Sequence, residues 1–143
     1  FNNQTPSNSE SENNEITKIV NNSIKNYFKY FDNYKIDKAS NEILYLATNV
    51  NLYLNKKEPW ALIKEDKNLN EVKLIIYNVL EATRIIGNLI KPLLPEFSNK
   101  ILYQLGENDI SNRNWEENLK WGLLPESRDL PKPNPIINKL DYE

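Results

Sequence analysis

The sequence predicts an all-α fold, an antiparallel helix bundle finished by an extended, proline-rich C-terminal tail. Three observations carry that prediction. Apolar residues recur at three- and four-residue spacing from Ile16 to Leu105, turn residues separate the periodic runs, and no alternating strand pattern competes with them.

Residues 1–14 are mostly Asn, Ser, Glu and Gln with little to bury, so they read as a flexible linker. Ser9 and Glu12 have the spacing of a capping box. Beyond them Ile16, Ile19, Val20, Ile24, Tyr27, Phe28 and Phe31 mark a first amphipathic helix. Asp32-Asn33-Tyr34 is a turn signal, and Ile36, Ala39, Ile43, Leu46, Ala47, Val50 and Tyr53 mark a second helix ending near Asn55. Pro59 disfavours helix at Glu58 and suits the first turn of a new one, so Pro59 to Lys64 reads as a short helix opened by the proline.

Asn68 or Asn70 is placed to cap the longest helix, with Val72, Ile75, Ile76, Val79, Leu80, Thr83, Ile86, Leu89 and Ile90 on a broad apolar face. Two prolines in Lys91-Pro92-Leu93-Leu94-Pro95 end it. A further helix from about Glu96 carries Phe97, Ile101, Leu102 and Leu105 up to Gly106, a C-terminal stop. These readings divide the chain into a linker (1–14), a helical bundle (15–106) and an irregular tail (107–143) packing on the bundle, with Trp115 and Trp121 as its anchors.

Composition narrows the function. The chain of 143 residues has 18 basic and 20 acidic residues and a net charge of -2, so RNA contact has to be local rather than driven by a global field. It has neither cysteine nor histidine, which removes disulfides, thiolate nucleophiles and the commonest general base and metal ligand, and fits a cytoplasmic protein. Self-contained catalysis, a bound cofactor and a metal site are therefore not expected. The apolar run Leu74 to Leu94 is broken by Asn78, Glu81, Arg84, Asn88 and Lys91, so no membrane span is expected. No signal peptide is visible, and a chain that starts at Phe1 and has no methionine reads as a fragment of a longer protein.

One aromatic stands among polar and cationic groups: Trp60, with Asn51, Asn55, Lys56, Lys57 and Lys64 close in sequence. Unpaired RNA bases stack on such rings, amides read base edges and lysines meet phosphates. The residues alone leave a second reading open, in which Trp60 closes the core and the lysines are merely solvated. Tyr53 falls on the apolar stripe and reads as core. Arg84 and Lys91 are candidates for phosphate contacts on an otherwise solvated helix face.

Asn51-x-Tyr53 followed by Glu58-Pro59-Trp60-Ala61-Leu62-x-Lys64 resembles the signature of the C-terminal anticodon-binding domain of the methionyl-tRNA synthetases, a class I aminoacyl-tRNA synthetase family. Lys91-Pro92-Leu93-Leu94-Pro95, Leu105-Gly106 and Trp121-Gly122 are similar to later family features in the same order. The ending Pro135-Ile136-Ile137-Asn138-Lys139-Leu140 departs from the family's usual Pro-Leu-Phe-Pro-Arg-Ile. The resemblance implies a parent enzyme that uses ATP to join methionine to tRNA, with an upstream catalytic domain bearing HIGH and KMSKS motifs. It implies that Trp60 stacks on the first anticodon base, a cytosine, with Pro59 setting its approach and Asn51 and Asn55 in contact or supporting positions. The family's base-reading Asn and Arg belong to a helix preceding this segment. Alternatives are the equivalent domain of another class I synthetase, for isoleucine, valine, leucine or cysteine, or a non-catalytic helical scaffold for protein partners.

Overall fold

The structure, a computed structural model, describes residues 1–7, 14–107 and 114–137. The capping box expected at Ser9 and Glu12 and the chain end from Asn138 lie outside the described residues. Helix α1 spans Glu15–Asp32, and its cap is Asn14, whose side chain accepts a hydrogen bond from the Thr17 N–H at 3.0 Å. It closes at Tyr34, in left-handed conformation at φ 59°, with the Lys35 N–H returned to the Tyr30 carbonyl at 2.9 Å.

Helix α2 (Ile36–Lys57) packs back along α1 through Ala39, Ile43, Leu46, Val50 and Tyr53. It runs one turn-fragment past the expected end at Asn55. Ile36 and Ala47, expected on this stripe, are exposed because both fall off the arc those five residues define. After the short helix α3 (Pro59–Leu62) and a 3-10 turn at Asp66–Asn68 comes α4 (Leu69–Ile90). The turn Leu93–Leu94, closed by N–H groups bonded to the Ile90 carbonyl, leads into α5 (Pro95–Gln104), which starts on its proline. Gly106, at φ 74°, lets the Glu107 N–H reach the Leu102 carbonyl at 3.0 Å and ends that helix.

Helix α4 is the central element: it touches α1, α2, α3, α5 and the 3-10 turn Glu117–Leu119, and from Arg84 to Leu89 every residue is buried. Over that stretch the helix has no solvated face on which to put charge. Its Gly87 allows close approach of α5, since a Cβ there would stand 2.9 Å from Ile101 Cγ2, and the Ser98 hydroxyl donates to the Gly87 carbonyl at 2.6 Å.

The chain after α5 lies along α4. Glu81 Oε1 accepts the Gly122 and Leu123 N–H groups at 2.8 and 3.1 Å, and its Oε2 accepts the Leu124 N–H at 3.1 Å. The Tyr77 hydroxyl donates to the Leu124 carbonyl and the Trp115 indole N–H to the Asn88 carbonyl. Residues 1–7, read from sequence as part of a linker, lie against this segment: Thr5 donates its N–H to the Arg128 carbonyl and accepts that of Ser127, and Gln4 pairs with Asp129 in an antiparallel bridge. Among the described residues no helix is long and apolar enough to cross a membrane.

Candidate nucleic-acid interface

Asn51 and Asn55 lie on the last turns of α2, and Pro59 and Trp60 open α3 just beyond the corner where α2 ends. A single residue makes the turn. Glu58 holds φ 46° and ψ 55°, so its N–H still closes α2 on the Leu54 carbonyl while its own carbonyl accepts from Ala61 and Leu62, opening α3. Left-handed geometry costs a non-glycine residue about 1 kcal/mol, a local strain built into the corner. Pro59 follows at the first helical position, where its fixed φ fits and its missing N–H leaves no donor unpaired.

Pro59 is buried and Trp60 is 53% exposed. The proline thus serves as the seat of α3 rather than as a contact surface, and the indole is turned outward. A half-exposed tryptophan at a helix start forgoes much of the burial that such a ring ordinarily gains. Among the described residues the Trp60 indole N–H makes no hydrogen bond, in contrast to that of Trp115. Trp115 stands edge-on to Phe28 and Tyr27, with ring centroids 5.5 and 6.2 Å away, and fastens the tail to the core. Trp121 is partly buried against the same core.

Asn51 and Asn55 are four positions apart on α2, hence on one face, and both are exposed. Their amides make no side-chain hydrogen bond among the described residues, so donors and acceptors are presented to solvent. Lys56 and Lys64 are exposed, whereas Lys57 stands 6.0 Å over the Tyr53 ring. Tyr53 itself is core: its hydroxyl accepts from buried Asn78 at 3.1 Å, and desolvation raises its pKa above the ordinary tyrosine value.

Arg84 corrects the sequence reading. Instead of lying on a solvated face, its side chain is fully buried, paired with Glu81 through Nε and Nη2 at 2.8 and 2.7 Å, and bonded to the Asn118 and Lys120 carbonyls. It cannot reach a phosphate. The sequence also missed the other half of this arrangement, Glu81, although an Glu-x-x-Arg pair inside an otherwise apolar helix is a usable signal of a buried ion pair. Lys91 is half-buried at the end of α4. A groove of about 730 Å³ lies elsewhere, between Lys100, Tyr103 and Gln104 of α5 and residues 131–136. No group of three or more carboxylates that would hold a metal ion exists among the described residues.

Comparison with known proteins gives this geometry a context. A family model described as the anticodon binding domain of methionyl tRNA ligase matches residues 4–143. The methionine–tRNA ligase of Caldanaerobacter subterraneus subsp. tengcongensis is 30% identical over 139 residues, which are 96% of this chain and 21% of that protein. The enzyme of Listeria innocua is 30% identical over 129 residues, 90% of this chain and 19% of its own length. The chain therefore spans about a fifth of the curated relatives it matches. Among solved structures, the apo form of Mycobacterium tuberculosis methionyl-tRNA synthetase superposes with a TM-score of 0.84 over 99% of this chain and 29% of that one, at 22% identity, a likeness of fold.

Proposed function

The chain belongs to the family of methionyl-tRNA ligase anticodon-binding domains, and from that membership we propose that it selects methionine tRNAs by their CAU anticodon, with Trp60 as the stacking platform for the first base. The observation that carries the reading is the outward indole on a strained, proline-seated corner, preceded on the last turns of α2 by two exposed amides with unused hydrogen-bonding capacity. Stacking alone tolerates any base, so the ring contributes to selection by holding the first base in register for edge-reading groups, and Asn51 and Asn55 are the groups on this chain suited to base edges or riboses. Lys56 and Lys64 supply local positive charge for the phosphates in a chain whose net charge is acidic.

The whole ligase, in this reading, is a cytoplasmic enzyme that activates methionine with ATP in a catalytic domain elsewhere on the polypeptide and transfers it to tRNA. This segment contributes recognition and no chemistry. One solved relative, the Mycobacterium tuberculosis synthetase, is described bound to methionyl-adenylate, which supports ATP as the parent enzyme's cosubstrate. A second contact is favoured by one observation: Leu44, Tyr45 and Leu52 on the outer face of α2 are 66%, 53% and 59% exposed. That apolar face suits packing against the remainder of the ligase.

The test is Trp60→Ala in the full-length ligase, assayed with methionine tRNA and with the same tRNA carrying an altered first anticodon base. One stacked base contributes about 1 to 3 kcal/mol. Aminoacylation efficiency with the CAU tRNA should fall roughly ten- to a hundredfold, the preference over the altered tRNA should shrink, and tRNA-independent methionine activation should persist. Unchanged tRNA kinetics would remove Trp60 from the interface.

A further inference from the structure

The helix that carries Trp60 is a single turn long, too short to hold its direction alone. Its head is fixed by Glu58 and Pro59. Its tail is fixed by a residue from outside it: Asn68, half-buried, donates its side-chain amide to the Leu62 carbonyl at 3.3 Å, across six residues. The Leu62 carbonyl also accepts the Glu65 N–H at 3.2 Å, so the Asn68 amide is its second donor and the one that comes from the start of α4.

The position makes the bond unexpected. Asn68 is the residue preceding α4, where an asparagine ordinarily turns its oxygen to the first free N–H groups of the helix it opens. Here it makes no such bond; its φ of -93° and ψ of 0° leave it outside the extended geometry of a capping residue, and its side chain points back to α3. The 3-10 turn Asp66–Asn68 runs straight into α4, with the Leu69 N–H on the Asp66 carbonyl, and the Asn68 side chain is turned to α3 instead. Local rules are broken in this way where a site needs positioning.

We infer that Asn68 is a positioning residue for Trp60: its amide ties the C-terminus of α3 to the start of α4 and thereby sets the angle at which the indole meets an anticodon base. The inference rests on the reading of Trp60 as the stacking platform. It also adds a specificity determinant that touches no RNA. Asn68 acts through the backbone of Leu62, two residues beyond Trp60 and bonded at the same corner.

The decisive variant is Asn68→Asp, because it moves stability and recognition in opposite directions. An aspartate has no amide to give the Leu62 carbonyl, while its negative charge suits the positive end of α4. Thermal unfolding of the full-length ligase and its aminoacylation of methionine tRNA and of the same tRNA with a UAU anticodon are measured side by side. The expected result is a melting temperature equal to or above wild type, with the preference for CAU over UAU reduced about three- to tenfold. Repulsion of RNA by the new charge acts alike on both tRNAs and cancels in that ratio. Asn68→Gln, which restores an amide on a longer arm, should recover part of the preference.

A wild-type preference retained in full by Asn68→Asp overturns the inference. Equal treatment of the two tRNAs by the wild-type enzyme itself would instead strike at the reading of Trp60. Loss of melting temperature together with preference would show Asn68 to be an ordinary structural residue.

Discussion

Glu81 and Arg84 form a fully buried, two-pronged ion pair, Arg84 Nε and Nη2 meeting the two carboxylate oxygens at 2.8 and 2.7 Å. Both groups are engaged further: the carboxylate also accepts three consecutive N–H groups, those of Gly122, Leu123 and Leu124, and the guanidinium donates to the Asn118 and Lys120 carbonyls. Backbone that lacks regular structure thereby has its polar groups answered by a helix. The pair is the clasp by which the chain after α5 is laid along α4.

Removing one partner of a buried pair strands the other, at a cost on the order of 3 to 5 kcal/mol. Arg84→Met should therefore lower the stability by about that amount in urea unfolding. Hydrogen exchange should quicken at the amides of Gly122 to Leu124 before it does in α1 or α2. A stability within 1 kcal/mol of wild type would mean that packing of Trp115 and Leu124, and not this clasp, holds the segment.

Alkaline pH probes the core through Tyr27. Its hydroxyl donates to the Leu89 carbonyl at 3.0 Å, and desolvation by burial pushes its pKa up to about 12 from 10.0. The native state therefore holds this proton more tightly than the unfolded chain. The associated stability is complete below pH 10 and is lost as pH rises through about 12, on the order of 2 kcal/mol in all. Alkali acts on other parts of the protein too, so the informative quantity is a difference. Tyr27→Phe should be less stable at pH 8 and should show a flatter decline between pH 10 and 12; an identical decline in both proteins would place the alkaline sensitivity elsewhere.

Gly87 tests the contact of α4 with α5. In an exposed helix interior, Gly→Ala stabilises by about 1 kcal/mol. Here the added Cβ would lie 2.9 Å from Ile101 Cγ2 and 3.1 Å from Leu102 Cδ2, so Gly87→Ala should instead destabilise by roughly 1 to 3 kcal/mol. Ile101→Leu removes the branch methyl nearest the new carbon. In the double variant part of the loss should return, giving a favourable coupling in a double-mutant cycle; simple additivity would show that the backbone, not that methyl, absorbs the strain.

The sequence made the helices legible because α1, α2 and α5 each pack one face, and a packed face repeats every three to four residues. It also placed Trp60 at a helix start, since Pro59 constrains its neighbours whatever the tertiary fold. Arg84 was misplaced for a related reason. Periodicity treats a charge as an interruption of an apolar stripe, and its partners, backbone groups between Asn118 and Leu124, come from a segment with no period to read. Asn68 was legible as a residue beside a helix start, but not as one whose amide turns away from it.

The two tryptophans that bracket these cases should separate site from scaffold. Trp60 is 53% exposed with no hydrogen bond at its indole among the described residues, so truncation removes little buried surface and Trp60→Ala should cost about 1 kcal/mol or less. Trp115 packs on Phe28 and Tyr27 and donates to the Asn88 carbonyl, so Trp115→Ala opens a cavity and loses that bond, for about 3 kcal/mol or more. Measured by urea unfolding and by tRNA aminoacylation in the full-length ligase, the two variants should fall on opposite axes: Trp60→Ala loses anticodon preference and keeps stability, while Trp115→Ala loses stability and keeps its preference wherever it remains folded. A large stability loss from Trp60→Ala with the preference intact would return that ring to the core and leave the outer face of α2, with Leu44 and Leu52, as the functional surface of this domain.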